Sequence, residues 1–188
     1  MLLVGGVLMV VVVAAVVAYW TLGPGGPADA VPAPAAPADL CAVVGRERLA
    51  EWVPNGEAEA TRDDATQNTE SSCASRTPDG QATGPEGYAS FDVRVYRFGD
   101  FADTGVEQAT RSIESSCAGA PGADPGLGDA SCSRLSEDDH DEVPNLRFEV
   151  RQGADLVMIS YYSSTIDLPE ARARLVTATD AVLEELEG

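Results

Sequence analysis

Cysteine and histidine carry the most reactive side chains of this chain, and it has few of them: Cys41, Cys73, Cys117, Cys132 and a single His140. No two cysteines form a C-x-x-C, so a thioredoxin-like redox pair and a zinc knuckle both lack their usual close spacing. Two disulfides are the better reading. Of the three possible pairings we expect Cys41 with Cys73 and Cys117 with Cys132, because each joins the end of one element to the next nearby loop or strand and the bonds do not cross. Both need an oxidising compartment, which places the segment that bears them outside the cytoplasm.

His140 stands in the acidic run Glu137-Asp138-Asp139-His140-Asp141-Glu142. Such a run can attract a divalent cation or raise the pKa of its histidine, but calcium-loop spacing is missing and a solvated loop is the preferred reading. A hydrolase would need His140 beside a serine on a rigid element, and there is no G-x-S-x-G. Gly126 and Gly128 are not followed by a helix and have no lysine with them, so they do not make a phosphate loop. Tyr88, Tyr96, Tyr161 and Tyr162 are either an aromatic binding surface or the ordinary tyrosine content of a sheet; the second is preferred. No catalytic residue, metal site or cofactor is assigned.

The elements that position these residues are legible from periodicity. Asp39 can cap a helix through Leu40, Val43, Val44, Leu49, Trp52 and Val53, with Gly45 as its point of breakage and Pro54-Asn55-Gly56 as its stop. Residues 57–70 have no large apolar side chain and read as a solvated loop with room for a short strand around Ala58 and Ala60. A strand over Ser71 to Thr77 follows. In Tyr88 to Phe98, Phe91, Val93 and Val95 alternate with Asp92, Arg94 and Tyr96, the period of a strand with one wet face. Thr104 and Glu107 have capping-box spacing and open a helix with Val106, Ala109 and Ile113 inward, ending near Cys117.

After the Gly/Pro-rich stretch 118–131 the sheet resumes. Leu146, Phe148 and Val150 alternate with Arg147, Glu149 and Arg151, the chain turns at Gln152-Gly153-Ala154-Asp155, and Leu156 to Tyr162 runs back as a hairpin. A last helix starts at Leu168, with Pro169 in the first turn and an inner stripe of Ala171, Leu175, Ala178, Val182 and Leu186. Glu184, Glu185 and Glu187 crowd its final turn with no arginine nearby in sequence, so that end is expected to fray. The order α-β-β-α-β-β-β-α with hairpin-length connections implies an α+β domain, one antiparallel sheet with packed helices.

Ahead of the domain, Leu2 to Trp20 is uncharged, and as a helix it measures about 29 Å, near the roughly 30 Å hydrocarbon thickness of a bilayer. Residues 1–22 are therefore expected to be a transmembrane anchor. A cleaved signal peptide has a shorter apolar region and a basic start, and only Ala28-Asp29-Ala30 resembles a cleavage site. Residues 23–38, rich in proline and glycine, read as an unpacked tether able to reach up to roughly 50 Å. Residues 39–188 are the folded part. The chain carries 31 acidic and 12 basic residues, all of the latter arginine, a net charge of -19. Such a charge repels phosphate backbones and anionic headgroups, which argues against nucleic acid as a partner. The absence of lysine is typical of high-GC coding.

Asp39-Leu40-Cys41-Ala42-Val43-Val44 opening a helix, Cys73 opening a strand, Gly126-Leu127-Gly128-Asp129-Ala130 before the hairpin and a closing helix resemble the extracytoplasmic lipoprotein-type domains of high-GC Gram-positive bacteria that include the LpqN type. The resemblance spans roughly residues 39–187. It implies a PsbP-like α/β/α sandwich and an envelope location, and it brings no catalytic residues. Unlike the lipoprotein members, this chain has no cysteine directly after its apolar run, which favours the helix anchor over a lipid. The expected protein is a single-pass, membrane-anchored binding or interaction module without catalysis. Its partner would be an envelope protein or a small apolar or cationic ligand. The alternatives are a structural envelope component, or a hydrolase using His140 with a Ser/Asp partner.

Overall fold

Strand alternation builds the middle of one sheet, and small polar residues build its flank. The computed structural model describes residues 30–79, 87–119, 124–136 and 145–188. Helices α1 (Leu40–Val44) and α2 (Arg46–Trp52) lead into β1 (Glu59–Asp64), β2 (Asn68–Arg76) and β3 (Ala89–Phe98). Helix α3 (Gly105–Cys117), strands β4 (Ala130–Ser136), β5 (Asn145–Gln152) and β6 (Asp155–Ser163), and helix α4 (Leu168–Glu187) follow. The six strands form one antiparallel sheet in the order β1-β2-β3-β6-β5-β4. The fold is α+β, as expected.

Helix α1 is capped by Asp39, whose Oδ1 accepts from the Ala42 amide at 3.0 Å. The Arg46 guanidinium, 2.8 Å from Asp39, and that same amide hold the carboxyl below its ordinary pKa. The break between α1 and α2 falls at Gly45, whose φ of 100° suits only glycine. The α3 capping box is formed by Thr104 and Glu107. The β5–β6 hairpin turns with Gly153 at φ 57°, where a type II′ turn places its glycine.

Two elements differ from expectation. Within 57–70, expected to be a solvated loop with a short strand around Ala58 and Ala60, the strand is longer than expected, running as β1 over Glu59–Asp64, and residues 68–70 already belong to β2. β1 is an edge strand with an almost fully exposed face, held by its backbone ladder to β2 and by the Thr61 and Ser72 hydroxyls at 2.7 Å, so it needs no apolar stripe. Val106, expected inward on α3, is 47 % exposed, while Gly105, Ala109 and Ile113 face the sheet.

The inner face of the sheet carries the main core. Val93, Val95, Phe91, Phe148, Val150, Val157, Ile159 and Tyr161 meet Leu40, Val44, Leu49, Trp52 and the α4 stripe, all of whose expected members are buried. On β2 this face is Thr69, Ser71, Cys73 and Ser75, small residues that let α1 come close enough for Cys41 to bond Cys73 across a Cα separation of 5.0 Å. Trp52 meets Phe91 and Tyr161 with ring centroids at 6.0 and 6.4 Å. The Tyr161 hydroxyl donates to the Trp52 carbonyl at 2.8 Å, satisfying one of the acceptors that a helix C-terminus leaves open.

Residues 31–38, expected to be an unpacked tether, lie on the domain. Val31 donates to the Asp100 carbonyl at 2.9 Å, Thr69 Oγ1 donates to the Pro34 carbonyl at 2.6 Å, and Ala36 is buried. An extended proline-rich backbone keeps its carbonyls free, and β2 and β3 supply donors for them. Among the described residues no helix is long and apolar enough to cross a membrane. The expected anchor, Leu2 to Trp20, lies outside the described residues.

Candidate functional site

The described residues cover the outer face of the sheet only partly. Helix α3 crosses one end of it, from Gly105 against Phe98 and Ala154 to Cys117, which bonds Cys132 of β4 across a Cα separation of 5.9 Å. Cys132 pairs with Glu149 and so points outward, opposite to Phe148. Both expected disulfides are formed, and no free cysteine remains.

Register aligns the outward side chains in rows. One row runs Arg134, Arg147, Ser160, Asp92, Ala74, Glu59 from β4 to β1. The next runs Cys132, Glu149, Met158, Arg94, Ser72, Thr61. Long side chains thus flank the short ones of Ser160 and Ala74, and this contrast in length makes the hollows of this face.

The first hollow has a volume of about 310 Å³ and sits over Ser160, lined by Asp92, Arg94 and Tyr96 of β3, Arg147 of β5 and Met158 of β6. A second, of about 650 Å³, shares Asp92, Arg94 and Ser160 and continues over Ala74 and Ser90 to Arg76, Glu57 and Glu59. Together they form a shallow polar groove across the strands.

Arginine dominates the first hollow. Arg94 Nε donates to Asp92 at 3.3 Å, and hydrogen bonding to Tyr96, then the Asp92 charge, push its pKa further up, so it stays cationic. Arg147 Nη2 lies 3.0 Å from Glu149 Oε1. The Glu149 side chain is only 3 % exposed, and its other oxygen is buried without a hydrogen-bond partner among the described residues. Each guanidinium has five donors, so among the described residues these pairs leave donors open to a ligand.

Cys117, Cys132 and Glu149 bring their ligand atoms within 4.8 Å of one another, but both sulfurs are in the disulfide, which leaves the carboxylate alone. Asp124 Oδ1 accepts from the Gly126 amide at 2.8 Å and from the Ser131 hydroxyl, so the glycine-rich segment closes on itself. Gly128, at φ 59°, has no room for a Cβ against the Arg151 carbonyl.

No protein-family model, curated protein or solved structure matches this chain.

His140 and its acidic run lie outside the described residues. Tyr161 is in the core, whereas Tyr162 faces outward with its ring centroid 5.5 Å from that of Tyr88, and Tyr96 lines the hollow apart from that pair. Sequence reasoning missed Arg94, Arg147, Met158 and Ser160 as neighbours. Alternation marks such residues as outward-facing, but lateral register, which no single strand encodes, puts Ser160 between Arg147 and Asp92.

Proposed function

We propose that this chain is a membrane-tethered extracytoplasmic binding module, and that it seats a ligand over Ser160 between Arg94 and Arg147. The observation that carries this reading is the hollow itself, whose 310 Å³ lies at the lower end of the roughly 300–1,000 Å³ typical of ligand sites. Its chemistry favours a small amphiphile. An anionic group such as a carboxylate meets the two guanidiniums, and an apolar body lies along Tyr96 and Met158. Overall charge argues for cationic, neutral or apolar partners; the local arginines select a ligand with a single anionic group among mostly neutral surface.

Binding without turnover is the favoured reading because, among the described residues, the hollow is lined by no Cys, His or Lys. The paired disulfides support an oxidising, extracytoplasmic setting. Helices on both faces of an antiparallel sheet are what the resemblance to LpqN-type, PsbP-like domains implies, and we carry that kinship as part of the proposal.

The test is native mass spectrometry of the full chain in mild detergent, followed by thermal-shift titration with carboxylate-bearing amphiphiles. We expect a ligand that raises the wild-type melting temperature, and expect Ser160→Trp, which fills the hollow, and Arg147→Ala to abolish that rise. Equal responses of wild type and Ser160→Trp to every compound would overturn this site.

A further inference from the structure

The described residues have four exposed large apolar side chains, and three of them gather at one place: Val31 (56 %), Phe101 (47 %) and Val106 (47 %). The chain itself brings them together. Val31 pairs with Asp100, Asp100 Oδ1 accepts from the Gly105 amide at 2.7 Å, and the Phe101 amide donates to the Asp103 carbonyl at 3.1 Å, so the loop from β3 to α3 presents Phe101 and Val106 beside the segment that leads in from the N-terminal side. Gly99 permits this approach, since a Cβ there would run into the Val31 carbonyl and the Ala33 amide.

We propose that this patch rests on the lipid surface next to the span at Leu2 to Trp20. The proposal builds on the tethered reading above. Because residues 31–36 are fixed to the sheet, only Thr21 to Ala30 separate Trp20 from the domain. Ten residues of extended proline-rich chain reach about 31 Å, far less than the full stalk. Val31, where the short connection ends, belongs to the patch, so any conformation of that connection keeps the patch near the bilayer. A tether this short gives a millimolar-scale effective concentration, at which even a small apolar contact is occupied.

The chemistry of the surface follows from the surrounding charges. Asp100, Asp103 and Glu107 border the patch, with Arg111 already paired to Asp103 at 2.5 Å, so zwitterionic or neutral headgroups suit it and anionic ones do not. Phe101 and Val106 would enter the headgroup and upper acyl zone, where aromatic side chains are favoured. The row bearing Ser160 and Asp92 lies five residues along β3 from Arg97, about 17 Å from this end, which leaves the groove open to the envelope.

The full chain is reconstituted in phosphatidylcholine vesicles with Phe101→Trp, and emission is compared with and without lipids brominated on the acyl chains. Trp20, isolated by difference from Trp20→Phe, reports the span, while Trp52 is a buried background. We expect quenching at both position 20 and position 101, with the signal at 101 lost when Val31→Asp and Val106→Asp are added. Quenching at 20 but not at 101 overturns the docking and leaves the tethered reading intact. No quenching at 20 removes the span, and the docking falls with it. An indole at 101 that is shielded from water but unquenched, and whose shielding grows with protein-to-lipid ratio, means that a second copy covers the patch and also overturns the proposal.

Discussion

Arg97 Nη2 donates to the Leu186 carbonyl at 3.2 Å, so a cation from β3 sits at the acidic end of α4. The same side chain holds Asp155 through Nε and Nη2 at 3.0 and 3.1 Å and the Ala35 carbonyl through Nη1 at 3.1 Å. The last turn of α4 contains no basic residue, which is why its sequence suggests fraying. Tertiary structure supplies the missing charge, and Gln152 adds a bond to Glu187 at 2.7 Å. Arg97 thereby ties the N-terminal segment, the central strands and the final helix.

Arg97→Ala should therefore destabilise the protein by about 3 kcal/mol, since it strands a mostly buried carboxylate. Urea unfolding measures the loss, and amide exchange should quicken in the last turn of α4 and around residues 34–36. Asp155→Asn should cost less, because the guanidinium keeps two carbonyl partners. An Arg97→Ala variant as stable as wild type would contradict this account.

The pH response of Asp155 has a definite sign. Burial pushes its carboxyl above the ordinary 3.8, against the pull of Arg97. A raised folded pKa means that the folded state binds the proton more readily than the unfolded state. The contribution of this group is thus largest below about pH 3.8 and falls as pH rises through the raised folded value. The wild-type urea midpoint minus that of Asp155→Asn should decline across that window and then level off; an increase across it would reverse the assignment.

The two disulfides should differ in strength and access. Loop entropy gives about 3.7 kcal/mol for Cys41–Cys73 and about 3 for Cys117–Cys132, from separations of 32 and 15 residues. Cys41 and Cys73 are fully buried, whereas Cys117 is only partly buried. Mild dithiol treatment followed by alkylation and peptide mapping should label Cys117 and Cys132 first.

Gly99→Ala should lift the N-terminal segment from the sheet, since the added methyl meets the Val31 carbonyl and the Ala33 amide. Overpacking of this kind costs about 1–3 kcal/mol. The decisive readout is local: limited proteolysis within residues 30–36 should become rapid while the core melts only slightly earlier.

Tyr161→Phe removes a hydroxyl that donates to the Trp52 carbonyl and accepts from Arg174 Nη1 at 2.7 Å. Leaving that carbonyl unpaired in the core should cost about 1–3 kcal/mol by urea unfolding. Trp52 emission should shift as its neighbourhood loosens, and an unchanged midpoint and spectrum would show that the bond contributes nothing.

Some of this protein is decided by short stretches of chain acting alone. The Asp39 cap, the break at Gly45, the Thr104 and Glu107 box, the β5–β6 turn and the α4 stripe each depend on residues a few positions apart, where local conformation and solvent leave one stable choice. The cysteine pairing was legible for a similar reason: each bond closes a short, uncrossed loop. What the sequence left undetermined depends on partners distant along the chain. β1 has no apolar period because its ladder to β2 holds it, and residues 31–36 carry no packing signal because their own carbonyls make the contacts. The hollow over Ser160 exists only because register sets a short side chain of β6 between long ones of β3 and β5, and register across non-consecutive strands is fixed by the packing of the whole inner face.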